Sequence, residues 1–162
     1  MSSNVFDNPS FFQGLDNAEG TELRSLFVPS QEPAGTILFE QGDIAEFLYL
    51  VLTGEVSVRY KPEDGPALTL ARVRPEGVVG WSAALGSPFY TSSAVCNVDS
   101  EMIRVRGSDL RQFCEQYPVT GALVLERLAA MIAERLSNTH HYVINLLRQG
   151  LNLQIEQSSL IS

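Results

Sequence analysis

Cysteine and cationic residues are scarce in this chain of 162 residues, and both shortages restrict what it can do. The 2 cysteines, Cys96 and Cys114, fall in different expected elements, so neither a disulfide framework nor a zinc site is expected. Lysine and arginine total 11 against 19 aspartates and glutamates, which gives a formal net charge of -8. Such a chain repels phosphate groups, so we expect no direct DNA binding and no attachment to membrane surfaces.

Long apolar runs are also absent, and so is a basic stretch before an apolar segment at the start of the chain. The first absence argues against a membrane-spanning helix and the second against a signal peptide. Together with the low cysteine content, they favour a location in the reducing cytoplasm. Hydrophobic residues make up 44% and charged residues 19%, which is typical of a globular chain, and residues 1–162 are predicted to form a single domain.

The spacing of apolar residues changes along the chain. Leu23 and Phe27 have helical spacing, and residues 1–34 are predicted as an N-terminal helical segment that ends at two prolines. Over residues 35–106, apolar and polar residues alternate in short runs separated by glycine-containing turns. This second pattern predicts an antiparallel β-sandwich or barrel.

Helical spacing returns over residues 107–150, followed by a short tail at 151–162. Ser108 is the expected N-cap of a first helix, and Pro118 suits the first turn of a second. The second helix is expected to be about 45 Å long, more than a small roll can cover, so its apolar stripe predicts a homodimer. The stripe comprises Leu125, Leu128, Ile132, Leu136, Val143 and Leu146.

Three segments carry a family resemblance: GTILFEQGD at residues 35–43, LYLVLTGEVSV at 48–58 and VGWSAAL at 79–85. In this order, and followed by a short and a long helix, they resemble the cyclic nucleotide-binding effector domain of the catabolite activator/FNR family of bacterial regulators. The resemblance covers residues 11–148. It implies a mainly β fold with C-terminal α structure: an eight-stranded antiparallel jelly roll with N-terminal helices and a long C-terminal dimerisation helix. Family members usually carry a DNA-binding helix-turn-helix after that helix, and residues 151–162 are too few for one.

The resemblance also implies a ligand pocket. In the family, a phosphate-binding cassette points backbone N–H groups at a cyclic phosphate, a glutamate holds the ribose, and an arginine neutralises the phosphate. The corresponding candidate ligand-binding residues are Gly80, Trp81, Ser82, Ala83, Thr91 and Ser92, with Thr139 of the long helix at a position that contacts the base. Trp81 replaces the glutamate, Thr91 falls at the arginine position, and no lysine or arginine occurs between Arg74 and Arg104. Because about 1.4 kcal/mol corresponds to a tenfold change in affinity, losing both charged contacts predicts weak binding of cyclic AMP.

Several of these residues allow a second interpretation. Trp81 can stack on a nucleotide or plug a pocket that has lost its ligand. The hydroxyls of Thr91 and Ser92 can bind a different anion, or make only local backbone hydrogen bonds. Thr139 can be a polar residue in the dimer seam rather than a base contact.

No cofactor, metal or catalytic group is predicted beyond a possible cyclic nucleotide or other small ligand. His140 and His141 are adjacent and point about 100° apart on a helix, so they cannot grip one metal from one chain. Some family members bind haem, but no second axial ligand accompanies either histidine. No nucleophile and base are paired in the sequence, so the chain is not expected to be an enzyme.

The sequence therefore predicts a cytoplasmic, homodimeric and non-catalytic regulatory module that senses a ligand and signals through a protein partner. One alternative is a ligand-free structural or dimerisation module, in which Trp81 and Phe89 close the pocket. Another is an effector domain that binds a cyclic nucleotide or another small ligand by an altered set of contacts.

Overall fold

A computed structural model describes residues 10–134, 144, 147 and 148, and it contains two four-stranded antiparallel sheets. The first sheet has the strand order β1 (Val28–Glu32), β8 (Ser100–Arg106), β3 (Phe47–Thr53) and β6 (Val78–Val79). The second has the order β2 (Ile37–Phe39), β7 (Ser93–Cys96), β4 (Val56–Tyr60) and β5 (Leu68–Val73). The predicted eight-stranded antiparallel fold is confirmed.

Strand β3 shows why the molecule has two cores. Its residues alternate between faces, and both faces are buried. Tyr49 and Val51 face the interior of the roll, whereas Leu48 and Leu50 pack under the helices. The first sheet is therefore a shared wall between the roll and the helical layer.

The predicted N-terminal helical segment is wrong over residues 28–32, which form β1 and pair with β8. Over residues 10–34, the described part of this segment, helical structure is limited to a short 3-10 turn at Ser10–Phe12 and to α1 at Ala18–Ser25. Pro29 is tolerated within a strand because β1 lies at the sheet edge, where a missing N–H breaks no ladder in the sheet interior. Short and half-exposed, this strand carries no clear alternation in its sequence.

Helix α2 (Gly107–Gln116) begins where β8 ends. Its N-cap is Arg106, which makes no side-chain capping bond, so the prediction of Ser108 as the N-cap is wrong. The helix starts two residues earlier than predicted, and its first residue, Gly107, packs directly against the loop that follows β6. Pro118 opens the next helix as predicted.

That next helix, α3, covers residues 118–134 of the described chain. Val124 and Leu128 are buried against the shared wall, while Leu125 is 51% exposed. Thr139, His140 and His141 lie outside the described residues.

Candidate ligand-binding site

Gly80 anchors the loop that follows β6. Its φ of 78° lies in the left-handed region, and an added Cβ would lie 2.7 Å from the backbone oxygen of Phe47. The same Cβ would lie 3.3 Å from the rings of both Phe39 and Tyr90. Only glycine fits here without displacing backbone, which explains its place in the cassette pattern.

The cassette, residues 80–87, folds into a tight turn rather than a regular helix. The N–H of Leu85 donates to the oxygen of Trp81 at 3.2 Å, and that of Ser87 to the oxygen of Ser82 at 3.1 Å. The N–H of Ala83, an expected phosphate donor, instead donates to the oxygen of Gly80 at 3.1 Å. In this conformation, that donor is already engaged within the turn.

An aromatic stack fills the space beside the cassette. The rings of Tyr90 and Phe39 lie 3.7 Å apart between centroids, with an interplanar angle of 15°. The Tyr90 hydroxyl donates to the backbone oxygen of Phe47 at 2.6 Å and accepts from the N–H of Phe47 at 2.9 Å. Burial raises the pKa of Tyr90 to about 12. Tyr90 is thus a neutral, doubly hydrogen-bonded plug, only 5% exposed.

The remaining cavity between cassette and stack has a volume of about 30 Å³. That is room for about one or two water molecules, whereas pockets for small ligands commonly measure about 300–1,000 Å³. The cavity is lined by Phe39, Val58, Gly80, Trp81, Ser82, Tyr90, Thr91 and Ser92.

Five of the seven predicted site residues line this cavity. They are Gly80, Trp81, Ser82, Thr91 and Ser92. Ala83 also belongs to the turn, but it is 2% exposed and packs within the core of the roll. Thr139 lies outside the described residues.

The expectation that Phe89 helps to close the pocket is wrong. Phe89 is 54% exposed, and it pairs with Ile44 across an isolated bridge on the surface. Its neighbour Tyr90 points inward instead and forms the plug that sequence reasoning missed. The alternation of strand β7 cannot be extended backwards from Ser93 to decide which aromatic side chain points inward, because residues 86–92 form an irregular loop. Trp81 is half-buried, lining the cavity and packing against the helical-side core.

Positive charge near the site lies behind the plug rather than in the cavity, since no lysine or arginine is among the lining residues. The Arg104 guanidinium lies 4.4 Å from the centroid of the Phe47 ring, and the backbone of Phe47 holds Tyr90. Burial raises the pKa of Tyr49 despite the hydrogen bond and charge of Arg104 that oppose the shift. Among the described residues, the lining of the cavity provides hydroxyls and aromatic faces and no lysine or arginine.

A larger opening lies elsewhere. A groove of about 660 Å³ is lined by residues 69–78, which comprise most of β5 and the turn to β6, and by Met131 and Glu134 of α3. It shares no lining residue with the cassette cavity. Across the described residues, no cluster of three potential metal ligands occurs and no helix is long and apolar enough to cross a membrane.

A jelly roll with a glycine-anchored cassette defines the cyclic nucleotide-binding class of fold. The family model described as "Cyclic nucleotide-binding domain" matches residues 31–117, and the chain belongs to this family. Among its relatives, the cyclic AMP receptor protein of Thermus thermophilus is 30% identical over 156 residues, which is 86% of this chain and 70% of that protein.

Solved structures give the same result. The crystal structure of the Thermus thermophilus catabolite activator protein matches with a TM-score of 0.66 and 30% identity, over 86% of this chain and 63% of that one. A cyclic nucleotide-binding domain from Methylobacillus flagellatus matches the fold with a TM-score of 0.72 and 24% identity, over 78% of this chain and 71% of that one. The predicted family, catabolite activator-like and regulatory, is confirmed.

Proposed function

We propose that this chain is a non-catalytic regulatory domain whose altered pocket does not bind cyclic AMP tightly. The observation that carries the proposal is the stack of Tyr90 on Phe39, which leaves a cavity of about 30 Å³ at the cassette. A nucleotide must displace this stack to enter. It would then meet Trp81 and Thr91 where the family has a carboxylate and a guanidinium.

Two penalties therefore add up against cyclic AMP. Moving Tyr90 breaks two partly buried hydrogen bonds to Phe47, each worth about 0.5–1.5 kcal/mol. The missing charged contacts remove further affinity, and hydroxyl groups do not replace a guanidinium that binds phosphate bidentately. The hydroxyls of Ser82, Thr91 and Ser92 instead suit a smaller or less charged ligand that binds once the stack has opened.

A ligand screen by thermal unfolding tests this proposal. The full chain is heated alone and with about 1 mM cyclic AMP, cyclic GMP or a cyclic dinucleotide. A ligand with a Kd of about 1 μM would stabilise the protein by about 4 kcal/mol under these conditions, a shift of many degrees. We expect no such shift with cyclic AMP, and a large shift with cyclic AMP would contradict the proposal.

The plug also favours a second candidate, a ligand-free dimerisation module. If none of the ligands changes the unfolding temperature or the fluorescence of Trp81, the sole tryptophan, this second candidate is preferred. If a ligand other than cyclic AMP changes both, the domain is a sensor with an altered contact set.

The proposed output is a homodimer that signals through a protein partner. Val119 is 87% and Leu125 51% exposed on α3, so this helix leaves apolar surface for another chain. We expect Leu125→Glu to convert a dimer to a monomer in sedimentation velocity, whereas the neighbouring Glu126→Gln leaves it unchanged. A monomeric wild-type protein would contradict this part of the proposal.

A further inference from the structure

The carbonyl group of Ala83 is held by α2 from two sides. The Arg111 Nη1 donates to this oxygen at 2.5 Å, and also reaches the oxygen of Ala84 at 3.5 Å. On the other side, an added Cβ on Gly107 would lie 1.9 Å from the same Ala83 oxygen. The cassette turn therefore rests on the first two turns of α2 with no intervening side chain at Gly107.

The Arg111 guanidinium lies beside the glycine that ends the cassette turn. Gly86 ends the turn with a φ of 78°, and its missing Cβ would face the Arg111 guanidinium at 3.6–3.7 Å. The oxygen of Ala83 also accepts the N–H of Gly86 at 3.3 Å. A hydrogen bond from a charged donor to a carbonyl oxygen is stronger than one from a neutral donor.

The contact continues from α2 into α3. Leu110 and Phe113 of α2 lie in one buried cluster with Val124 and Leu128 of α3. An added Cβ on Gly121 would lie 2.7 Å from the Cα of Cys114, so the two helices touch backbone to backbone at that point. This gives an uninterrupted packed path from the pocket to the proposed dimer helix.

We propose that Arg111 is a positioning residue that fastens the cassette turn to α2 in the ligand-free protein. Its guanidinium touches the carbonyl side of the turn, away from the residues that line the cavity. The inference rests on the proposed function, because it takes the cassette as the part that responds to a ligand. Its test uses the ligand-free protein, so the two proposals can fail separately.

The test compares Arg111→Gln and Arg111→Lys with wild type by amide hydrogen exchange. Both variants are expected to fold, because Arg111 lies on the exposed side of α2. The amides of Leu85 and Gly86 report on the cassette, since both are hydrogen-bonded within the turn. Arg72→Gln is the matched control, because Arg72 is 69% exposed and pairs only loosely with Glu55 at 4.0 Å.

We expect Arg111→Gln to accelerate exchange at the cassette amides about tenfold, equivalent to about 1.4 kcal/mol, and to change the fluorescence emission of Trp81. Exchange in β3 should stay at the wild-type rate. Arg111→Lys, which keeps a cationic donor, should restore most of the protection and the emission spectrum, and Arg72→Gln should change neither. Unchanged cassette exchange in Arg111→Gln, an equal increase in cassette and β3, or no rescue by lysine would each overturn the proposal.

Discussion

Two openings in this molecule differ in size and in chemistry. The cassette cavity, where family resemblance places a nucleotide, measures about 30 Å³ and is lined in part by the ring of Tyr90, which stacks on Phe39. The groove beside β5 measures about 660 Å³, yet it contains none of the cassette residues. Under the function proposed above, the fold keeps the anchoring glycine of the cassette while the rings of Tyr90 and Phe39 take up the space beside it.

The two openings also differ in how tightly the residues around them are packed. Around the cassette cavity, Gly80, Phe39, Tyr90 and the backbone of Phe47 lie in direct contact, so any change there must be costly. The groove is open and bordered by exposed side chains such as Arg74 and Glu76, so changes there should be tolerated. The following substitutions test this contrast.

The largest effect is expected for Gly80→Ala. The substitution combines a left-handed φ with a Cβ placed 2.7 Å from the oxygen of Phe47, and we expect it to lower the free energy of unfolding by about 3 kcal/mol or more. Gly35→Ala is the matched control, because Gly35 has a φ of 89° but nothing within 4 Å of the added Cβ. Its cost should be about 1–2 kcal/mol by urea unfolding, and equal losses in the two variants would show that the site is not tightly packed.

The next effect is expected for Tyr90→Phe. This variant keeps the stack on Phe39 but leaves the buried N–H and oxygen of Phe47 without the hydroxyl, at a cost of about 1–3 kcal/mol. Tyr60→Phe is the control, since Tyr60 is 40% exposed, and it should cost less than about 0.5 kcal/mol. Urea unfolding at pH 7 measures both, and a Tyr90→Phe protein as stable as wild type would mean that the hydroxyl does not secure the plug.

Alkaline pH should weaken the plug by a related route. The pKa of Tyr90 is about 12 in the folded protein against 10.0 for the ordinary tyrosine, because burial disfavours the phenolate. The folded state therefore holds this proton more tightly, and the associated stability is complete below pH 10 and is lost between about pH 10 and 12. Wild type should lose about 1–2 kcal/mol more than Tyr90→Phe over this interval in urea unfolding, and parallel pH profiles would contradict the assignment.

The smallest effect is expected in the groove. Arg74→Gln alters its exposed rim, and the free energy of unfolding should change by less than about 0.5 kcal/mol. If Arg74→Gln instead lowers the free energy of unfolding by about 2 kcal/mol or more, the Arg74 side chain makes a stabilising contact in solution, and the groove is not an open surface.

The sequence predicted the features that depend on regular spacing or on glycine. Alternation predicted the antiparallel sandwich or barrel, and the fixed φ of proline predicted the helix that begins at Pro118. The number of strands and the place of Gly80 in the cassette were implied by the family resemblance instead. Strand β6 has no recognisable alternation, because its two residues, Val78 and Val79, are too few to show a period.

The features that escaped prediction depend on tertiary contacts. Phe89 and Tyr90 are both aromatic neighbours in an irregular loop, and only the folded loop decides that Tyr90 points inward. Arg111 is indistinguishable in sequence from any arginine on the exposed side of a helix, until the cassette carbonyls lie against it. Ser108 was an attractive N-cap, but the close contact of Gly107 with Ala83 sets the start of α2 instead.

Calorimetric titration of the full chain with cyclic AMP tests the central claim most directly. Because the cavity is small and lined by Trp81, Tyr90 and Thr91 rather than by charged residues, we expect no saturable heat up to about 1 mM ligand. Saturable heat with a Kd in the micromolar range or tighter would contradict the account. It would mean that the stack opens readily, and that backbone amides, hydroxyls and Trp81 suffice to hold the nucleotide.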